Sequence, residues 1–214
     1  MIWASDGTLI TNAHVLTGGA YSAEMRDGRT LPVEVKSRDV TRDLAKLKLP
    51  ATGLSAVSLR ESPPKPGELV VAVGNPLGFT GALSTGVVHA VGPVDGLGRR
   101  PWVQGAIRLA PGNSGGPLAD AAGKLVGINA MIVADGMALA IPGSVALDFA
   151  RNGSGPRLGV AIQAVDLSRN AMGLLIMGVD LGSAAEYASL LIGAVLIGAN
   201  GPERRKIAPA WASS

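Results

Sequence analysis

The chain has 214 residues, 47% of them hydrophobic and 16% charged, with 30 Gly, 14 Pro and no Cys. Its net charge of +3 is spread over 19 basic and 16 acidic residues, and aromatics amount to 3%; this offers neither a basic nucleic-acid footprint nor a base-stacking platform, and the lack of Cys excludes disulfides and thiolate metal sites. No apolar run approaches the ~20 residues of a membrane span, and since no charged or apolar leader stands before Met1-Ile2-Trp3 in this sequence, any export signal is expected to lie outside it.

A chain of this length buries roughly 70% of its unfolded surface. With so few aromatics the core is built from Val, Leu, Ile and Ala between many turns, which predicts short strands. Thr8 to Asn12 reads as a strand that runs into Ala13-His14-Val15-Leu16 and breaks at Gly18-Gly19, placing His14 at a strand end. Tyr21 to Met25 and Thr30 to Lys36 form a hairpin about Asp27-Gly28. Leu44 to Leu49 alternates Lys46 and Lys48 with Ala45, Leu47 and Leu49, as a half-buried strand requires, and Asp43 stands just before it. Pro63-Pro64-Lys65-Pro66-Gly67 is a linker between two subdomains of similar build.

Beyond it, strands are predicted at Leu69 to Val73 and Ser84 to Val91, the first stopping at Gly74-Asn75-Pro76. Asp95 to Arg100 reads as an exposed loop, and Trp102 to Leu109 leads into Pro111-Gly112-Asn113-Ser114-Gly115-Gly116-Pro117-Leu118. Strands at Leu125 to Val133 and Met137 to Ile141 follow, then a short helix through Phe149 capped by Ser144, with Val145, Ala146 and Phe149 on its apolar face. Asn152 to Pro156 marks a boundary. Leu158 to Val165, Leu174 to Val179 and Val195 to Ile197 are further strands, and Ser183 caps a helix start at Gly182 to Ala188. From Gly201 onward there is no periodicity.

The glycines around Ser114 let the backbone turn sharply, holding the hydroxyl outward while the amides of Gly112 and Ser114 face one small space suited to an oxyanion. A bare G-x-S-G is a weak signal, since a serine in a loop between strands reads the same way. A serine hydroxyl becomes a nucleophile only beside a base that a third group orients. The chain has two histidines. His89 lies inside the apolar run Gly86 to Val91 and reads as a strand residue, whereas His14, Asp43 and Ser114 stand in the order of the chymotrypsin template. Two separated histidines without Cys offer no metal cluster.

Thr11-Asn12-Ala13-His14-Val15, Arg42-Asp43-Leu44-Ala45, Gly74-Asn75-Pro76-Leu77-Gly78, Gly112 to Leu118 and Leu139-Ala140-Ile141-Pro142 resemble, in order, the motifs of the HtrA (DegP-like) trypsin-fold serine proteases. The resemblance covers residues 1 to about 150. It implies a mainly β fold, a chymotrypsin-like double β-barrel with its active site in the cleft between barrels. His14 is then the general base, Asp43 its orienting carboxylate and Ser114 the nucleophile, with the Gly112 and Ser114 amides as oxyanion hole. It further implies an endopeptidase acting on unfolded or exposed polypeptides, with no cofactor, in a periplasmic or other extracytoplasmic setting, and allows a homo-oligomer.

Only Ile2 to Ser5 separate Met1 from Asp6-Gly7, so the first barrel is expected to lack its N-terminal strand. Asn113 replaces the Asp that digestive members pair with a cut amino terminus, which makes ordering of the Pro76 to Gly81 and Gly96 to Arg100 loops the expected mode of activation. Arg108 stands where trypsins carry a specificity Asp, and small apolar residues before the cut are expected by the resemblance. Residues 158–201 resemble the start of an HtrA-type PDZ domain through Gly173 to Ile176, Gly182 to Glu186 and Leu191 to Ile197, with Ala194 in place of the usual Asp. No counterpart of that domain's second helix precedes Ser214. The expected organisation is a protease domain at 1–152, a partial PDZ-like domain at 157–201 and a tail at 202–214. The alternative is a polypeptide-binding or remnant protein whose triad is intact in sequence but not assembled.

Overall fold

The structure is a computed structural model that describes residues 1–97, 100–133, 136–153, 158–168, 171–179 and 183–197. The chain divides into two compact units, Met1–Gly155 and Pro156–Ser214. Period-two alternation decides the strands of the first unit, because one face of each is driven out of water. β1 (Thr8–Thr11), β2 (Tyr21–Glu24), β3 (Thr30–Asp39) and β4 (Leu44–Lys48) form an antiparallel sheet in the order β1-β4-β3-β2. Leu9 lies opposite Leu47, and Leu47 opposite Val35, so apolar residues share a face across the sheet. Residues 1–3 run back along β1 through the Ile2–Leu9 bridge, and Ile10 N–H donates to the Met1 carbonyl at 3.1 Å.

The second half of this unit is a closed six-stranded barrel. Its strands are β5 (Leu69–Gly74), β6 (Ala82–Gly92), β7 (Trp102–Ile107), β8 (Pro117–Asp120), β9 (Leu125–Ile132) and β10 (Met137–Pro142), in the order β10-β7-β6-β5-β8-β9. Val70, Ala72, Val88, Val103, Ile107, Leu118, Val126 and Ala138 fill it. Closure leaves this barrel no strand edges, whereas the first sheet stays open at β2. The architecture is chymotrypsin-like, with one barrel closed and the other an open half-barrel. Linker residues are laid against the closed barrel: Leu59 bridges Leu125, Arg60 pairs with Glu68, and the Arg60 guanidinium lies 3.7 Å from Asp120.

Several element boundaries differ from the sequence reading. β1 stops at Thr11, and His14 lies in the turn beyond it, because Asn12 leaves the ladder to bond elsewhere. β8 directly follows the glycine loop and is absent from the sequence reading; Pro117 is its first residue, a position that needs no ladder donor. α1 spans Gly143–Asn152, longer than expected, and Ser144 does not cap it. β10 runs straight into the helix, so Pro142 occupies the cap with φ −55° and the exposed Ser144 falls inside the first turn.

The unit Pro156–Ser214 holds β11 (Val160–Ser168), β12 (Ala171–Val179) and β13 (Val195–Leu196) in that sheet order, with α2 (Ala184–Tyr187). The Ser183 side chain accepts from the Glu186 amide at 3.2 Å, an N-cap as expected. Ser154 to Arg157, Gly182 and the expected tail at 202–214 lie outside the described residues, as do Gly98 and Arg99 of the loop at Asp95 to Arg100.

Helix α1 closes the first unit. Ala146, Phe149 and Ala150 pack with Ile10 and Leu44 of the open sheet and with Trp102, Ile128, Leu139 and Ile141 of the barrel, forming one buried cluster across both halves. Phe149 is fully buried there. Phe149→Ala should lower unfolding stability by about 3–5 kcal/mol through lost burial and the cavity left behind, measured by urea denaturation of the chain and its variant.

Candidate active site

Ser114 is presented by a loop whose backbone approaches its neighbours too closely for side chains. Gly112 has φ +104°, and a Cβ there would lie 2.4 Å from the Asn75 carbonyl oxygen. That contact is closed by a hydrogen bond from Asn75 N–H to the Gly112 carbonyl at 3.1 Å. Gly115 has φ +78°, and a Cβ would meet Thr11 Oγ1 at 2.0 Å and the Asn12 amide nitrogen at 3.2 Å. The serine loop of the closed barrel is thereby set against the end of β1, three residues before His14.

Within the loop the amides separate into two sets. Asn113 N–H donates to Ala110, Gly115 to Asn129 and Gly116 to Asn113, at 2.9–3.1 Å. The amides of Gly112 and Ser114 have no acceptor among the described residues. Those are the two named from the sequence. Asn113 is buried and spends its side-chain amide on the Ala110 carbonyl at 3.1 Å, which fixes the loop from inside. The Ser114 hydroxyl donates to the Ala130 carbonyl of β9 at 3.2 Å, and it has no hydrogen bond to His14 among the described residues.

His14 is held by Asp43 at two points. One carboxylate oxygen accepts the His14 backbone N–H at 2.9 Å, and the two oxygens lie 2.8 and 3.0 Å from ring Nδ1. A carboxylate accepts only, so Nδ1 carries the proton in this contact and Nε2 is left as the basic nitrogen. Asp43 is itself fixed. It has φ +54°, a left-handed conformation that Asp tolerates better than most residues, and its carbonyl accepts from the fully buried Asn12 side chain at 3.0 Å. The His14 side chain is 48% exposed against 16% for Asp43, so the base faces solvent while its partner is covered.

Arg100 lies close to the same turn. It donates to the Thr41 carbonyl at 2.9 Å and stacks 3.8 Å above the Trp102 ring. Burial lowers its guanidinium from its ordinary value against the attraction of Asp43 and Asp39. Neither the Arg100 contact nor the roles of Asn12, Asn75 and Thr11 in seating the site were assigned from sequence; Thr11, Asn12 and Asn75 stand inside the quoted motifs and Arg100 inside the Gly96 to Arg100 loop, which is the available signal. His89 is an exposed residue of β6 at the register shift between Val88 and Ala90. Arg108 is exposed and lines a surface cleft with Ser84, Thr85 and Gly136. Among the described residues no three His, Asp or Glu side chains gather as a metal site, and no helix is long and apolar enough to cross a membrane.

Comparison with known proteins finds similarity to trypsin-like and HtrA-type proteases. The trypsin-like peptidase domain family matches residues 1–128. A probable periplasmic serine endoprotease, DegP-like, of Hahella chejuensis is 37% identical over 94% of this chain and 48% of its own length. A putative serine protease HhoB of Synechocystis is 36% identical over 71% of this chain and 38% of its own. Among solved structures, the HtrA-type protease AlgW with a decapeptide superposes with a TM-score of 0.70 at 31% identity, covering 91% of this chain and 67% of that one. The chain spans about half the length, or less, of the curated relatives it matches.

The approach at residue 115 is directly testable. Gly115→Ala should cost about 1–3 kcal/mol of backbone strain besides the clash with Thr11, seen as a lower thermal midpoint. Adding Thr11→Ala should recover part of the loss, since it relieves the side-chain clash and leaves the positive φ.

Proposed function

The chain belongs to the trypsin-like peptidase family, in its HtrA (DegP-like) branch, and on that premise we propose that it is a serine endopeptidase acting through His14, Asp43 and Ser114. The observation that carries the reading is the two-point hold of Asp43 on His14, which commits Nδ1 to the carboxylate and frees Nε2 to take a proton. Ser114 Oγ attacks the scissile carbonyl carbon as His14 Nε2 accepts its proton. The carbonyl oxygen becomes an oxyanion received by the unpaired Gly112 and Ser114 amides, each such donor being worth ~10²–10³ in turnover. His14 then passes the proton to the leaving amine. Water, deprotonated by His14, attacks the acyl-enzyme ester and releases Ser114.

The present hydrogen bond from Ser114 to Ala130 is a resting arrangement: a short rotation about the Cα–Cβ bond redirects the hydroxyl, and catalytic hydrogen bonds commonly form only with substrate in place. That same bond is the observation favouring the second reading, a polypeptide-binding protein with its triad unassembled. Unfolded or exposed polypeptides are the proposed substrates, cut after small apolar residues, in an extracytoplasmic compartment such as the periplasm named for several relatives. This reading is compatible with a homo-oligomer. Residues 157–201 are proposed to be a partial PDZ-like domain, and the loops at Pro76 to Gly81 and Gly96 to Arg100 to order on activation.

Incubation with unfolded casein decides between the readings. The wild type should cleave it and Ser114→Ala should not, and a fluorophosphonate should label only the former. Equal, negligible cleavage and labelling of both would sink the enzyme reading. Asp43→Asn should retain the fold while turnover drops by about 10⁴, because the wrong His14 tautomer is then held.

A further inference from the structure

Asp43 and Ser114 come from different halves of the first unit, so proton transfer depends on what keeps the halves in register. The chain reverses between β3 and β4 over Val40 to Asp43, outside the ladder hydrogen bonds. Beside the turn bond from Asp43 N–H to the Val40 carbonyl and the bond from Asn12 to the Asp43 carbonyl, Arg42 restrains this turn further. Its backbone N–H and Nε donate to the two carboxylate oxygens of Asp39 at 2.9 and 2.7 Å. Its remaining nitrogens leave the turn for α1, Nη1 to Asp148 at 2.8 Å and Nη2 to the Gly153 carbonyl at 2.6 Å. The guanidinium also lies 5.4 Å from the centroid of the Phe149 ring. One planar group therefore joins the residue preceding Asp43 to a carboxylate, a carbonyl and a ring of a helix locked into the shared core.

The pattern needs arginine. Only a guanidinium fork donates in three directions from a rigid plane, and a cation is favoured at a helix C-terminus. Lys46 adds a separate tie from β4 to the Ala150 carbonyl at 2.9 Å, and Arg100 reaches the turn at Thr41. Neither bonds both the turn and the helix. We infer that Arg42 is a positioning residue of the site: it fixes the Asp43 turn on helix α1 and so sets where Asp43 holds His14 relative to Ser114. This rests on the triad reading above. Arg42 touches no reacting atom and acts through Asp43.

Arg42→Met keeps the aliphatic stem without the fork, and Arg42→Lys keeps the charge without the fork. Three readouts separate positioning from simple stability, taken on the folded full chain: the fluorophosphonate labelling rate of Ser114, kcat against KM on a peptide substrate, and the NMR resonance of the His14 Nδ1 proton, protected from exchange while Asp43 accepts it. Both variants should label about 10- to 100-fold more slowly, the range a small misplacement costs. The loss should fall on kcat rather than KM, with the Nδ1 resonance broadened. A wild-type rate and resonance in either folded variant overturns the inference. Should neither variant fold, Asp148→Asn, which removes one helix-side bond, should show a smaller loss in the same direction, and wild-type behaviour there overturns it equally. Failure of the wild type to label would refute the triad reading, while the Nδ1 resonance would still test Arg42 independently.

Discussion

A methyl group cannot be placed on residue 115 without lying 2.0 Å from the Thr11 hydroxyl. The barrel that carries Ser114 can approach the end of β1, three residues before His14, only because its backbone is bare at that point. The site's other features elaborate this approach. The bond between Asn75 and Gly112 shapes the loop from one side, buried Asn113 steadies it from within, and Asn12, adjoining the same contact, reaches the carbonyl of Asp43. A chain of short contacts thus runs from the serine loop through Thr11 and the Asn12 side chain to the His14–Asp43 pair.

The two halves of the first unit bring different mechanical properties to that contact. The barrel is closed, with each strand paired on both sides, so the serine loop hangs from a rim that resists shear. The half carrying His14 is an open sheet whose far strand, β2, is paired only with β3. Its rigidity comes from burial of Ile10 and Leu44 against Trp102, Ile128 and Phe149. Hydrophobic burial holds surfaces together without direction. Directional bonds from Arg42 and Lys46 to α1 convert a sticky interface into a registered one.

The residues of the candidate site were legible in sequence because the chemistry proposed for them is written in short-range necessities. A loop with glycines at residues 112, 115 and 116 around a serine restricts backbone geometry locally, and with only two histidines the chain order selected His14 over His89. Short strands followed from alternation and turn residues, and the double-barrel class from the resemblance to the HtrA proteases. Long-range partners were not legible. Arg42 was visible inside a motif, but its bonds reach 106 and 111 residues along the chain, and no local pattern encodes them. β8 was hidden because the glycine loop enters the strand through Pro117, a residue that ordinarily signals a break. Ser144 looked like a cap by composition, yet β10 carries its direction into the helix and leaves Pro142 at that place. Closure of one barrel and openness of the other depend on strand registers that composition does not specify.

Helix α1 is the last element of the first unit, yet it lies beneath the turn bearing Asp43, roughly a hundred residues upstream. During vectorial synthesis the proposed base, carboxylate and nucleophile are all translated before the helix that registers them. A growing chain that has emerged only as far as β10 holds the complete chemical set but neither the Phe149 wedge nor the acceptors for Arg42. On the proposed reading, the register that joins the three residues is set only once the last turn of α1 has docked, so the chemical set precedes its own alignment along the chain.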